Sequence, residues 1–323
     1  MYQDTHGRQI GYLRLSLTKG CSMRCTYCRP TWVHQPVDEP MLTPGEIEQL
    51  VRHLVKNHGL KKVRLTGGDP TSRRELIEII ERISQVPGIT DLAMTTNGLT
   101  LVRQAHRYAQ AGVQRVNISL DSLRRDRFKR MTGVDGLDRV LAGLDAAVDA
   151  GLGPVRINTV ILRGENDEEL PDLVRFAAAR QMDIRFIELM PMGPLASSWA
   201  QRYVSESEMR DQLATITRDI QPLPQGHDAA RRYRCTLDDQ SVATVGFITP
   251  MSCNFCADCN RIRIAADGSL YPCLMDKPRG TLLPAIRPKF DTEHLDQLIA
   301  QGMVEKQAEH PHDGFVVMTH IGG

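Results

Sequence analysis

The run Cys21-Ser-Met-Arg-Cys25-Thr-Tyr-Cys28 constrains this chain more than any other stretch, placing three thiols within eight residues at the spacing Cys-x3-Cys-x2-Cys. Three thiolate ligands on one short loop suit a 4Fe–4S cubane with one iron left open to a substrate or cofactor. Structural zinc prefers four ligands closing a tetrahedron, and the run itself contains neither a His nor a fourth Cys. Ferredoxin runs supply that fourth Cys, because electron-transfer clusters are fully ligated. The spacing therefore predicts a cluster used for chemistry at its free iron.

At 323 residues the chain has room for one large domain and a smaller one. Hydrophobic residues at 41% and charged residues at 24% are ordinary for a globular protein. The net charge of +1 argues against a nucleic-acid partner, so an anion must be bound by locally placed Arg or Lys. No apolar run approaches the roughly 20 residues of a membrane span, and the polar N-terminus has no signal-peptide core. The expectation is a cytoplasmic protein without membrane partners. Eight cysteines, six of them in two tight groups, read as metal ligands rather than disulfides.

β-rich runs alternate with helical patterns over the first 190 residues. Strands are expected at Tyr12–Thr18, Lys62–Thr66, Asp91–Thr96, Arg115–Leu120, Val155–Leu162 and Ile184–Met190. Thr43-Pro44-Gly45-Glu46 carries an N-cap, a first-turn Pro and a capping-box Glu. Ser72-Arg-Arg-Glu75 repeats the capping box ahead of Leu76, Ile79, Ile80 and Ile83. Helical stripes at Gly136–Ala150 and Asp167–Arg180 complete an α/β pattern of parallel βα units, hence a barrel or an open doubly wound sheet. Polar turns follow the strands: Thr66-Gly-Gly-Asp-Pro70, Thr95-Thr-Asn-Gly98, Ser119-Leu-Asp-Ser122 and Glu188-Leu-Met-Pro191. Such turns are ordinary singly, but in a βα barrel they all meet at the strand C-termini, where active sites lie.

Residues 192–230 are rich in Pro, Ser and Gln around one amphipathic stretch, Ser205–Ile216, and a domain boundary is expected near 215. Beyond it come antiparallel strands at Tyr233–Leu237 and Val242–Ile248, and a hairpin turning at Asp267-Gly268. That hairpin folds Cys273 back towards Cys256-Ala-Asp-Cys259. With Cys253 the group could equally be a four-Cys zinc knuckle, and spacing leaves both readings open. Cys235 reads as a small buried hydrophobe. Arg261 and Arg263, two apart on a strand, share one face and suit an anionic or purine ligand.

These motifs together resemble the GTP 3′,8-cyclase (MoaA) family of molybdenum-cofactor biosynthesis, a branch of the radical S-adenosylmethionine (SAM) superfamily. The resemblance runs from Leu13-Arg-Leu-Ser16 through Arg64-Leu-Thr-Gly-Gly68, Thr95-Thr-Asn-Gly98, Asn117-Ile-Ser-Leu-Asp121, Arg185-Phe-Ile-Glu-Leu-Met190 and Phe255–Arg263 to Gly322-Gly323. It implies an incomplete (βα)6 TIM-like radical SAM barrel over 1–215. A smaller C-terminal α+β domain over 216–323 would carry a second 4Fe–4S cluster. Cys21, Cys25 and Cys28 would hold the first cluster, and Cys256, Cys259 and Cys273 the second, setting Cys253 aside. Tyr27, Gly68, Ser119 and Met190 would contact SAM. Arg14, Arg64, Thr95, Arg156, Arg261 and Arg263 would hold GTP, in a chain that has no P-loop. Arg185 is a further candidate without a firm role.

The implied reaction makes a 5′-deoxyadenosyl radical from SAM, removes the ribose 3′-hydrogen and joins that carbon to guanine carbon 8. Arg261, Arg263, Gly322 and Gly323 are the residues implied in that catalysis. The family also implies a reductant such as flavodoxin or ferredoxin and delivery of product to cyclic pyranopterin monophosphate synthase, and it leaves a homodimer open. Two departures stand out. Asp69 replaces the family's Glu in Gly-Gly-Glu-Pro, and Lys19-Gly20 precedes Cys21 in place of Asp-Arg. Competing readings are a peptide-modifying radical SAM enzyme and a non-enzymatic metal-bearing module; the near-zero net charge weighs against RNA binding by the latter.

Overall fold

The computed structural model describes residues 2–28, 41–311 and 318–321. Six parallel strands follow one another in chain order: β1 (Tyr12–Ser16), β2 (Lys62–Thr66), β3 (Asp91–Thr96), β4 (Arg115–Ser119), β5 (Arg156–Ile161) and β6 (Asp183–Glu188). Helices connect them: α1 (Pro44–His58), α2 (Leu76–Ser84), α3 (Leu101–Ala111), α4 (Arg125–Thr132), α5 (Leu137–Asp149) and α6 (Leu170–Ala179). This is the incomplete (βα)6 barrel.

Side chains of a strand alternate between its two faces, and here the alternation separates chemistry from core. Leu13 and Leu15, Val63 and Leu65, Val116 and Ile118, and Ile184 and Phe186 are fully buried in the apolar core. Each such burial is worth about 1.5–3 kcal/mol. The intervening residues Arg14, Arg64, Asn117, Asn158 and Arg185 face inward and line a central cavity. The barrel is thus polar inside and apolar outside.

The Thr43 capping box forms as expected, with the Thr43 hydroxyl accepting from Glu46 N at 3.3 Å and the Glu46 carboxylate from Thr43 N at 2.7 Å. The expected Ser72 box does not. Ser72 is already inside a 3-10 turn, Pro70–Ser72, capped by Asp69, and α2 starts after Glu75 without a side-chain cap. The stripe at 167–180 likewise divides into a 3-10 turn, Asp167–Glu169, and α6.

Beyond α7 (Glu206–Ala214) the chain adds strands to both edges of the barrel wall. An antiparallel ribbon of β7 (Thr217–Pro222), β8 (Arg231–Leu237) and β9 (Val242–Ile248) joins β6 through β9, which runs parallel to it. At the opposite edge, β10 (Arg261–Ile264) lies parallel to β1, and β11 (Leu270–Tyr271) closes the hairpin at Asp267-Gly268. Residues 249–260 therefore cross from one edge of the sheet to the other, carrying Cys253, Cys256 and Cys259. Strand β7 was not expected: its Thr-Arg-Asp-Ile-Gln-Pro sequence lies at the sheet edge and lacks the apolar alternation of a covered strand. A last long helix, α8 (Thr292–Val304), packs near α1.

Candidate active site

The loop after β1 brings Cys21, Cys25 and Cys28 to the C-terminal mouth of the barrel, where all three line the cavity. Its backbone is tied to the end of α4, Arg24 N donating to Thr132 O at 2.8 Å and Thr26 N to Met131 O at 2.9 Å. Burial, reinforced by the Asp121 carboxylate and the adjacent Cys28 and Cys21 thiols, holds the Cys25 thiol well above its ordinary range. Three thiols that repel one another's negative charge are a set that a metal group would relieve.

The Gly67-Gly68 turn after β2 is pressed against that loop. Gly68 N donates to Thr18 O and Asp69 N to Gly20 O, each at 2.8 Å. A Cβ on Gly68 would lie 2.4 Å from Gly20 O, and one on Gly67 2.6 Å from Thr18 O, so only glycine fits. The buried Asp69 carboxylate accepts from Asn97 N at 2.6 Å, Thr71 N at 2.8 Å and the Thr96 hydroxyl at 2.9 Å. Its work is to fasten the Thr95–Gly98 turn, a task the shorter acid performs. Burial pushes its pKa up, against these donors.

Tyr27, Gly68, Ser119 and Met190 all face the same cavity. The Tyr27 hydroxyl donates to Asp121 Oδ2 at 2.7 Å, and Val160 N to Asp121 Oδ1 at 3.0 Å. Burial raises Asp121 to about 6 despite those donors. At the same rim Glu188 accepts from Met251 N and Ser252 N at 3.0 Å each, fixing the start of the crossing segment to the end of β6.

Deeper in the cavity the cations gather. Arg263, Arg14 and Arg64 occupy one register row across β10, β1 and β2. Burial, and then Arg263, Arg64 and Arg261, bring the Arg14 guanidinium down to about 9, with the Tyr12 phenol opposing them. Burial, joined by Arg261 and opposed by the Cys273 and Cys259 thiols, also lowers Arg263. Arg64 donates to the Tyr12 hydroxyl and to Thr95 Oγ1 at 3.3 Å. Arg261 lies over the Phe255 ring at 5.0 Å. Arg185 is held by Asp228 at 2.6 Å. Arg156 is the exception among the expected GTP ligands. It sits one inward position below Asn158 on β5, is not part of the cavity wall, and faces Asp183 at 3.6 Å. Burial and Arg185 lower it to about 10.

The second thiol group assembles around the crossing segment and the hairpin. Burial raises Cys256, with Cys273 and Cys259 adding to it. Burial also acts on Cys259, but Lys306 and Arg261 overcome it and favour the thiolate. Lys306 Nζ lies 3.6 Å from Cys259 Sγ and donates to Arg261 O at 2.6 Å and Pro272 O at 3.0 Å. Arg8 donates to Cys256 O at 2.8 Å. Cys253 is exposed, and its thiol lies beside Arg231. Cys235 is buried in the core of β8, as expected. Gly322 and Gly323 lie outside the described residues.

Ligands to a single tetrahedral zinc, at about 2.3 Å for sulfur, sit roughly 3.8 Å apart. Among the described residues only His53, His58 and Asp296 bring three candidate ligand atoms within 4.8 Å of one another. Neither thiol triad is drawn together that closely.

Sequence reasoning named the arginines and thiols but not Tyr12, Asn158, Asp228 or Lys306. Asn117 and Asn158 each leave a buried side-chain oxygen without a protein partner, as a ligand site would. Their signal was available: they stand at the same inward alternation as the named arginines.

Known proteins resemble this chain over nearly its whole length. Residues 15–177 match the Radical SAM superfamily, and residues 182–312 match the family described as Molybdenum Cofactor Synthesis C. A GTP 3′,8-cyclase of Pelotomaculum thermopropionicum is 43% identical over 312 residues, covering 95% of this chain and 94% of that one. GTP 3′,8-cyclase 1 of Pseudomonas aeruginosa is 40% identical over 95% of this chain and 93% of its own. Among solved structures, Streptococcus suis SuiB bound to S-adenosylmethionine superposes with a TM-score of 0.63 at 14% identity, over 93% of this chain and 67% of that one. At that identity the likeness speaks for the fold alone.

Proposed function

The chain belongs to the GTP 3′,8-cyclase family of the radical SAM superfamily, and we propose that one cavity seats both SAM and GTP for the cyclisation. The activity is the radical SAM conversion of GTP to (8S)-3′,8-cyclo-7,8-dihydroguanosine 5′-triphosphate, the first step of molybdenum-cofactor biosynthesis. The observation that carries the proposed seat is the row Arg263, Arg14 and Arg64. Buried like charges depress one another's pKa values, and a triphosphate supplies the missing negative charge along the row.

Cys21, Cys25 and Cys28 would hold a 4Fe–4S cluster, and Cys256, Cys259 and Cys273 a second one. When bound, the first with SAM supplies the one-electron chemistry that removes the ribose 3′-hydrogen. Residues of the chain bind and orient. Tyr27, anchored on Asp121, together with Gly68, Ser119 and Met190 would form the SAM wall. Arg14, Arg64, Arg263 and the Thr95 hydroxyl would bind the triphosphate, with Arg261 and Arg263 placing the purine end beside the second triad. Lys306, Arg8, Arg261 and Arg263 offset the charge of three thiolates there. Arg156 must leave Asp183 before it touches substrate. Gly322 and Gly323 remain candidates for completing the site.

The barrel over 1–215 supplies the SAM face and the region 216–323 closes it. A reductant such as flavodoxin or ferredoxin delivers the electron, and the product passes to cyclic pyranopterin monophosphate synthase. Incubating reduced, cluster-loaded protein with SAM and GTP should yield 5′-deoxyadenosine and a cyclised guanosine triphosphate. Intact GTP, with deoxyadenosine formation indifferent to its presence, would overturn the substrate assignment.

A further inference from the structure

Away from the cavity, three chain segments converge on one oxygen. Oδ1 of Asp296 on α8 lies 2.7 Å from His53 Nε2, 2.7 Å from His58 Nε2 and 2.5 Å from the Tyr2 hydroxyl. Both histidines stand on α1, five residues apart across its last turn, and Tyr2 belongs to a short N-terminal hairpin, Tyr2–Gln3 with Gln9–Ile10. The Tyr2 ring stacks on His58 with centroids 3.6 Å apart, and Phe290 packs edge-on against His53. The His53 side chain is 4% exposed and that of Asp296 37%, so the cluster is sunk but reachable from solvent at one corner.

As hydrogen bonds alone the arrangement is overcommitted. A carboxylate oxygen offers two lone pairs, whereas three donors would be aimed at Asp296 Oδ1. A cation among these groups removes the conflict, because each imidazole then presents a lone pair instead of a proton. Asn57 Nδ2 lies 3.1 Å from His53 Nδ1; turned over, the same amide presents its oxygen to the Nδ1 proton of a ligating histidine.

We propose that His53, His58 and Asp296 form a structural site for a divalent transition metal of the zinc class, with the Tyr2 phenol or a water as fourth ligand. Two imidazoles and a carboxylate are borderline donors suited to zinc. Bonds of about 2.0–2.1 Å place tetrahedral ligands roughly 3.3 Å apart, an outward shift of about 0.6 Å from the present contacts. The metal staples the N-terminal hairpin and α1 to α8. The segment after α8 carries Lys306, which touches the second thiol triad, and Arg8 of the same hairpin grips Gln307 O, Ala308 O and Cys256 O. The site therefore braces the far side of the proposed purine end.

The test uses anaerobic enzyme with its iron sites filled, so that the thiols are occupied, titrated with zinc against a chromophoric chelator and measured by zinc X-ray absorption. One zinc per chain with only nitrogen and oxygen neighbours is expected. Stoichiometric binding should be lost in His58→Gln and Asp296→Asn, with iron content kept as evidence of folding. Asn57→Ala, which removes no ligand, should weaken binding by roughly 10–100-fold, and it keeps the test decisive if the other variants fail to fold. Absence of zinc binding, sulfur neighbours around the zinc, or unchanged affinity in Asn57→Ala would overturn the proposal.

Discussion

Arg263 on β10 and Arg14 on β1 stand at the same register of adjacent parallel strands, and Arg64 on β2 continues the row. Neighbouring strands lie about 4.8 Å apart, so three guanidinium groups from opposite ends of the chain form a ladder on the inner face of the barrel. Register decides this. A slip of one residue in the β10–β1 pairing would turn Arg263 away from the cavity and bring the apolar Ile262 or Ile264 into it.

Charged Arg14 is a burden on the ligand-free fold. Burial and the neighbouring guanidinium groups lower its pKa to about 9, so stability should rise as pH climbs above 9, where only the unfolded chain keeps the proton. Arg14→Met should raise the melting temperature of the ligand-free protein at neutral pH by about 2 °C or more. The same change should weaken GTP binding by about tenfold to a hundredfold, the range of one charge-assisted hydrogen bond. Calorimetry of the free and GTP-bound protein checks both; a lower melting temperature with unchanged affinity would refute the assignment.

The Tyr12 phenol reports on the same row. Burial alone would raise it, yet Arg64 and Arg14 bring it down from 10.0 to about 8. The stabilisation from this ionisation is present above pH 10 and is lost as pH falls through 8. Tyrosinate absorbance should therefore show one phenol titrating near 8. GTP, by adding negative charge, and Arg64→Met, by removing positive charge, should each return it towards 10 or above. A phenol that ignores GTP would place the triphosphate elsewhere.

Much of this was legible in the sequence because an apolar residue at every second position marks a strand, and six such runs matched β1 to β6 within two residues at each end. The first thiol triad and the paired Arg261 and Arg263 could be read from spacing because that spacing is local, whereas for the second group spacing alone left the four-Cys knuckle open. What escaped depends on distant chain segments meeting. Ser72 carries a capping-box pattern, but Asp69 captures the turn first, since its carboxylate is also needed by Thr96 and Asn97. Arg156 carries the right charge at the right alternation, yet Asp183, its register partner on β6, engages its guanidinium at 3.6 Å. Lys306 has no local signature at all; its role comes from the hairpin that folds Cys259 and Pro272 against it.

Gly68→Ala should damage the first triad without touching a thiol. The added Cβ meets backbone on Gly20 and Lys19, not a side chain that could swing aside. Iron content after reconstitution should fall by about half, the second triad remaining loaded. Full iron content with normal SAM binding would show that the turn adapts.

Among the C-terminal cysteines, Cys259→Ser should lose about half the iron while Cys253→Ser loses none, because only the former thiol shares its neighbourhood with Cys256 and Cys273. Iron and zinc analysis of the two variants decides it. Equal losses would restore the four-Cys knuckle.

The central claim is that the arginine row recognises the triphosphate, and equilibrium dialysis of GTP, GDP, GMP and guanosine against the cluster-loaded protein tests it most directly. Affinity should fall by about tenfold or more with each phosphate removed, and the steps should shrink in Arg14→Met. Equal affinity for GTP and guanosine, or steps of undiminished size in that variant, would contradict the account.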